Sequence, residues 1–117
     1  MWSSLQVVRE WTAGTLYIPA ATYPQASAQR PYAVVNRAGG PVDYPHDYPR
    51  YSVQLWCDTD AQGETLAYQL AKALPSITGA HERINAVGNA ELTQLGYLED
   101  GGFIWQVNFD LATNIRD

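Results

Sequence analysis

The chain has 117 residues, of which 46% are hydrophobic, and a net charge of −5, so its length fits one domain with a real core. Such acidity disfavours tight, direct nucleic-acid binding, because basic side chains that neutralise phosphates supply most of that affinity. Only 16% of the residues are charged, below the ~25% of an average globular protein, which indicates a surface partly covered by partners.

Cys57 is the only cysteine of the chain. A single cysteine excludes an internal disulfide and a cysteine-based zinc site, and we interpret it as a small buried apolar side chain. Residues 1–5 have neither the basic run nor the apolar stretch of a signal peptide, and no segment is apolar enough to span a membrane. We therefore expect a soluble protein made in a cytoplasm.

The first predicted element is a helix over residues 1–14. Ser3 is its expected N-cap, with Gln6 as the capping-box partner three residues on. Gly14 is a plausible end, because glycine commonly follows the last helical residue. Residues 15–31 then form an extended connector with three prolines, in which residues 16–18 could make a short strand.

Two strands are predicted next, over residues 32–37 and 50–57. The second strand alternates between a core face and a more polar face; the core face has Tyr51, Val53, Leu55 and Cys57. Between the strands, residues 38–49 contain two glycines and three prolines, which exclude a helix or a central strand. We predict a long loop here, and its tyrosines argue against simple disorder.

The rest of the chain is predicted as one helix followed by a hairpin. The helix covers residues 61–74, is capped by Thr59 with Gln62, and ends at Pro75. A strand near residues 83–91 continues to residue 98 after a bend. A turn at residues 100–102 leads into the strongest predicted strand, residues 103–111, and a short polar tail, residues 112–117.

This order predicts an α+β fold, with a mainly antiparallel sheet of four to five strands and two helices packed on one face. It forms one domain over residues 1–117, in which residues 32–111 are the core and contain the loop 38–49. Trp56 falls on the opposite, outer face of the sheet.

The sequence carries no phosphate-binding, dinucleotide-binding, metalloprotease or nucleophile-elbow motif. Asp43, His46 and Asp47 could form a metal or acid–base site, but a proline-rich loop is a poor support for one, and a solvent-exposed acidic loop is the favoured interpretation. We therefore expect no enzymatic activity, no metal and no cofactor. A small-ligand-binding domain is the alternative that these residues leave open.

Three consecutive stretches carry a family resemblance. Residues 31–41 read PYAVVNRAGGP, residues 49–57 read PRYSVQLWC, and an Ala/Leu-rich helix follows over residues 61–74. In this order, over about residues 31–75, the chain resembles the tail terminator (tail completion) proteins of long-tailed bacteriophages. The aromatic strand from Phe103 to Leu111 suits the closing strand of that family.

The resemblance implies a small structural subunit of the virion, located at the neck of the tail and made in the host cytoplasm. Such subunits form a ring, usually a hexamer, that caps the tail tube, stops its polymerisation and joins it to the head connector. The implied partners are further copies of the chain, the major tail tube protein and the connector or stopper protein. Genome DNA passes through without specific binding. Another head–tail junction protein, such as a connector, stopper or minor tail protein, is the alternative.

The loop 38–49 and its surroundings are the predicted subunit or tube interface. Its prolines lower the entropy lost on docking, and tyrosine commonly anchors interfaces. The candidate residues are Arg37, Gly39, Gly40, Tyr44, Tyr48, Arg50 and Trp56. Arg37 and Arg50 could pair with acids on a neighbour. The alternative is a loop folded back on its own domain, with Tyr44 and Tyr48 in the core.

Overall fold

A computed structural model describes residues 2–25 and 29–117 of the chain. The first helix, α1 (Ser4–Leu16), begins as predicted, since the Ser3 side chain accepts a hydrogen bond from the Gln6 N–H. It does not end at Gly14 but at Tyr17, which adopts the left-handed conformation. An exposed glycine costs a helix only ~1 kcal/mol, and the two extra residues bury Leu16. The strand predicted over residues 16–18 is therefore wrong.

The described part of the chain contains one sheet of seven strands. The strands are β1 (Ala20–Ala21), β2 (Tyr32–Arg37), β3 (Val42–Asp43), β4 (His46–Asp47), β5 (Arg50–Cys57), β6 (Ile84–Tyr97) and β7 (Phe103–Asn114). Following the hydrogen-bonded neighbours, their order is β1-β2-β5-β7-β4-β3, and β6 also pairs with β7. Among these strands only β1 and β2 pair in parallel. The α+β class and the mainly antiparallel sheet are thus confirmed, whereas four to five strands is an underestimate.

The predicted loop 38–49 contains two of the strands that the sequence reading missed. β3 and β4 form a hairpin, and β4 also pairs with the end of β7, through His46 with Asn114 and Asp47 with Thr113. The polar tail predicted from residue 112 is wrong for the same reason, because pairing with β4 extends β7 to Asn114 and buries Thr113. The prolines do not prevent this, since all of them lie outside the two-residue strands.

The core lies between one face of the sheet and the helices. The second helix, α2 (Asp60–Ala73), has the predicted Thr59 cap and continues into a 3₁₀ helix, Leu74–Gly79, that carries Pro75 at its start. Both α-helices contribute to one buried cluster with the alternating residues of β5 and β7. No helix in the described ranges has the length and hydropathy needed to cross a membrane.

No helix of the described residues covers the opposite face of the sheet, and the strand register arranges this face in cross-strand rows. One row joins Tyr32, Trp56 and Ile104, the next joins Val34, Gln54 and Gln106, and the third joins Asn36, Ser52 and Asn108. The side chains of β5 and β7 in these rows are half-buried. Trp56 therefore lies on the outer face, as its place in the alternation predicts.

Cys57 is buried at the end of β5. Burial raises the pKa of its thiol to about 11, with a smaller contribution from the Asp58 carboxylate. Since only the thiolate is a nucleophile, we expect Cys57 in the folded protein to resist an aromatic disulfide reagent at neutral pH. Release of the chromophore should follow the unfolding rate and become rapid in denaturant. Rapid labelling without unfolding would contradict the buried position.

Candidate interface at the β3–β4 hairpin

The structure brings six of the seven predicted interface residues together at one end of the sheet. They are Arg37, Gly39, Gly40, Tyr44, Tyr48 and Arg50, which lie on the end of β2, the hairpin and the start of β5. The seventh, Trp56, lies at the far end of β5, where its ring stacks on that of Tyr32, with centroids 5.5 Å apart. Trp56 is therefore separate from this site.

The base of the hairpin is held by a two-pronged ion pair. The Arg37 guanidinium donates to both carboxylate oxygens of Asp47, at 2.8 and 2.7 Å, and Asp47 is only 6% exposed. Arg37 also donates to the carbonyls of Gly39 and Gly40, and the Asp47 bond raises the pKa of the guanidinium. The acid that pairs with Arg37 thus lies within the chain, and Asp47 is not the exposed loop acid that the sequence indicated.

The two glycines allow the chain to close this base. Both have a φ of 102°, a conformation that side chains disfavour. The Gly39 carbonyl accepts from the Arg50 N–H at 3.0 Å. A Cβ on Gly40 would overlap the Tyr48 carbonyl oxygen and lie 2.8 Å from the Arg50 nitrogen, whereas a Cβ on Gly39 would point into open space.

Arg50 also has its carboxylate partner within the chain. Its Nε donates to Asp110 Oδ1 at 2.9 Å, and the Asn89 side chain donates to Asp110 Oδ2 at 2.9 Å. These bonds hold the pKa of Asp110 below its usual value. Within the subunit, β7 supplies the acid for Arg50 across the β5–β7 ladder, and pairing of Arg50 with a neighbouring subunit stays a prediction.

The hairpin carries four solvent-exposed side chains, Val42, Tyr44, His46 and Tyr48, which we call the hairpin surface. Val42 is the register partner of Asp47 and His46 that of Asp43, so Val42 and His46 point to opposite sides of the hairpin. Val42 and Tyr44 are 59% and 60% exposed, and Tyr48 is 40% exposed with its ring tilted against His46. The alternative that both tyrosines lie in the core of their own domain is wrong. Large apolar side chains exposed together are typical of an interaction surface.

A shallow groove of about 430 Å³ lies beside the hairpin surface. Tyr48 stands at its edge, and Pro41, Val87 and Leu111 contribute apolar walls. Small side chains at Ala86 and Ala112 keep it open. Tyr48 belongs to both the hairpin surface and the groove, whose lining also includes Arg50, Asn89 and Asp110.

The possible acid–base site of Asp43, His46 and Asp47 is not assembled. His46 and Asp47 are neighbours on β4, so their side chains point to opposite sides, and Asp47 is occupied by Arg37. Within residues 2–25 and 29–117, no group of three or more histidine, cysteine or acidic side chains is placed to hold a metal ion.

Among known proteins, no family model matches the chain, and no curated protein shows significant similarity to it. The class of protein is therefore described by its fold and its candidate site. This is a small α+β domain that presents a locked, aromatic hairpin at one end of its sheet.

Sequence reasoning missed that Asp47 and Asp110 hold the two arginines of the site and that the Asn89 side chain holds Asp110. One signal for Asp47 is present in the sequence. Asp43 and Asp47 each directly precede a tyrosine–proline pair, but only the pair after Asp47 leads into β5. Asp47 lies ten residues from Arg37. Asp110 lies sixty residues from Arg50, and only the register of the sheet brings the two together.

Proposed function

We propose that the chain is a structural subunit that assembles into a ring at the end of a phage tail tube, ends tube polymerisation and joins the tube to the head connector. The observation that carries this proposal is the exposure of Val42, Tyr44 and Tyr48 on a hairpin whose base is locked by the Arg37–Asp47 pair. The resemblance of residues 31–75 to phage tail terminator proteins is what suggests that the assembly is the ring at the end of a tail tube.

The fixed position of the hairpin base favours a higher affinity of the hairpin surface for its partner. A surface that is already in its bound shape loses little conformational entropy on docking, and tyrosine combines a flat apolar ring with one polar tip. Both nearby arginines are neutralised within the chain. The hairpin surface therefore offers mostly apolar and aromatic contact, with the exposed Asp43 as the charged group beside it, and such a composition suits the water-excluding centre of an interface.

A ring follows if this surface meets a different surface on the next copy, because such head-to-tail contacts close when the rotation between copies is right. The hexamer and the contacts with the tube protein and the connector or stopper are implied by the resemblance. A net charge of −5 suits passage of DNA through the ring, since like charges repel the phosphates.

The test replaces both tyrosines of the hairpin surface, as Tyr44→Ser with Tyr48→Ser. We expect an unchanged melting temperature, because neither ring is buried, and at least tenfold weaker assembly, because central tyrosines commonly contribute ~2 kcal/mol or more each to an interface. Light scattering at high concentration and electron microscopy of tails from a phage lacking the wild-type gene measure ring formation, and tails should exceed their normal length.

Tyr68→Ser is the matched control, since Tyr68 is 58% exposed on α2, away from the hairpin. It should complete tails normally. Normal tail length with the double variant would overturn the interface, and normal tail length without the chain would overturn the terminator role. Tails of normal length that fail to join heads would indicate the alternative, a connector or stopper.

A further inference from the structure

A second concave feature lies at the other end of β5, away from the hairpin surface. It is an open pocket of about 960 Å³. Its lining includes Arg30, Tyr32, Trp56, Asp58, Glu99 and Asp100, and these six residues define what we call the acidic aromatic pocket. The pocket joins the end of the connector, the end of β5 and the turn between β6 and β7.

The aromatic side of the pocket is fixed in position. The Trp56 ring stacks on Tyr32 with 23° between the ring planes, and Tyr32 is only 4% exposed. The Trp56 Nε1–H donates to the Gln54 side chain at 3.2 Å. An indole held in this way offers its face to a cation, which is the strongest aromatic partner for one.

The acidic side carries more negative charge than the chain itself neutralises. Arg30 donates to Asp58 Oδ1 at 3.0 Å and to Asp100 Oδ1 at 2.8 Å. Within the described residues, Glu99 and the second oxygens of both aspartates have no ion-pair or hydrogen-bond partner. One guanidinium against three carboxylates leaves a charge of 1 − 3 = −2 in the pocket.

Arg30 shows that these carboxylates have the geometry that a guanidinium needs. It bridges two of them, and its guanidinium packs against Gly102, where a Cβ would overlap it and oblige the arginine side chain to shift. The Arg30 bond and the Gly102 N–H hold the pKa of Asp100 below its usual value, so that Asp100 is charged at neutral pH. The turn, the connector end and Asp58 therefore form one preassembled frame.

We propose that the acidic aromatic pocket binds an arginine side chain of a protein partner. The planar guanidinium lies on the face of Trp56 and donates to Glu99 and to the free oxygens of Asp58 or Asp100. A guanidinium is favoured over an ammonium because it stacks on aromatic rings and donates in a fork that matches carboxylates. A nucleic acid is disfavoured by the charge of −2. This site goes beyond the proposed function and does not depend on it.

The experiment titrates the isotope-labelled full chain with N-acetyl-arginine amide at low salt and follows the indole N–H signal of Trp56 by NMR, assigned with Trp56→Phe. We expect a saturable shift that weakens in high salt. N-acetyl-citrulline amide, which has a similar shape without the charge, should give no saturable shift. Glu99→Gln should weaken binding about three- to fivefold, as for an exposed ion pair of up to ~1 kcal/mol.

Glu82→Gln removes the same charge at an exposed position outside the pocket and should leave binding unchanged. Equal shifts with both probes, no shift with either, or equal weakening by Glu99→Gln and Glu82→Gln would each overturn the proposal. Because the assay uses the isolated chain, its failure leaves the tail-length test of the proposed function intact, and the converse holds too.

Discussion

Phe109→Ala is expected to lower the free energy of unfolding by ~3–5 kcal/mol, the usual range for removing a fully buried aromatic ring. Phe109 is 1% exposed on the core face of β7 and packs on Tyr51, its register partner, with ring centroids 6.1 Å apart. A domain of this size has only ~5–15 kcal/mol in total. Denaturant titration of the variant should show a much lower midpoint or an unfolded chain.

Gln106→Ala is the control on the same strand. Its side chain belongs to the outer face, where the second cross-strand row lies, and it is half-buried. We expect a change of ~0.5 kcal/mol or less, as for most surface substitutions. Equal losses in the two variants would contradict the assignment of faces along β7.

The parts of the fold that were predictable are those in which burial repeats along the chain. The alternation from Tyr51 to Cys57 and from Phe103 to Leu111 identified the core face of β5 and β7, and all of these alternate residues are buried except Phe103, which is half-buried. Ser3 and Thr59 marked the two helix starts, because a capping side chain acts within three residues. Rules based on neighbouring residues predict an element correctly where interactions between neighbouring residues determine that element.

The three two-residue strands were not predictable in this way. Two residues show no period, and β1, β3 and β4 exist because neighbouring strands offer partners for their backbone groups. The same holds at the candidate site. Tyrosines in a proline-rich loop indicated exposure, but the burial of Asp47 depends on Arg37 and β7 meeting in space.

Gly40→Ala is the substitution with the largest expected effect on the candidate interface itself. The new Cβ would overlap the backbone of Tyr48 and Arg50, and backbone atoms cannot turn away as a flexible side chain can. The φ of 102° adds strain for any residue with a side chain. We expect a loss of ~3 kcal/mol or more, as the sum of strain and overpacking of ~1–3 kcal/mol each.

Gly39→Ala separates the two causes, because Gly39 has the same φ of 102° but open space around its Cβ position. It should cost only the strain, ~1–2 kcal/mol.

If the hairpin surface is the interface, Gly40→Ala should also reduce ring formation under conditions where the domain stays folded, since a displaced base moves Tyr44 and Tyr48 relative to the sheet. Equal unfolding free energies for the two alanine variants would show that the close approach at Gly40 does not hold the hairpin. Full ring assembly by a folded Gly40→Ala protein would show that the interface does not depend on the position of the hairpin.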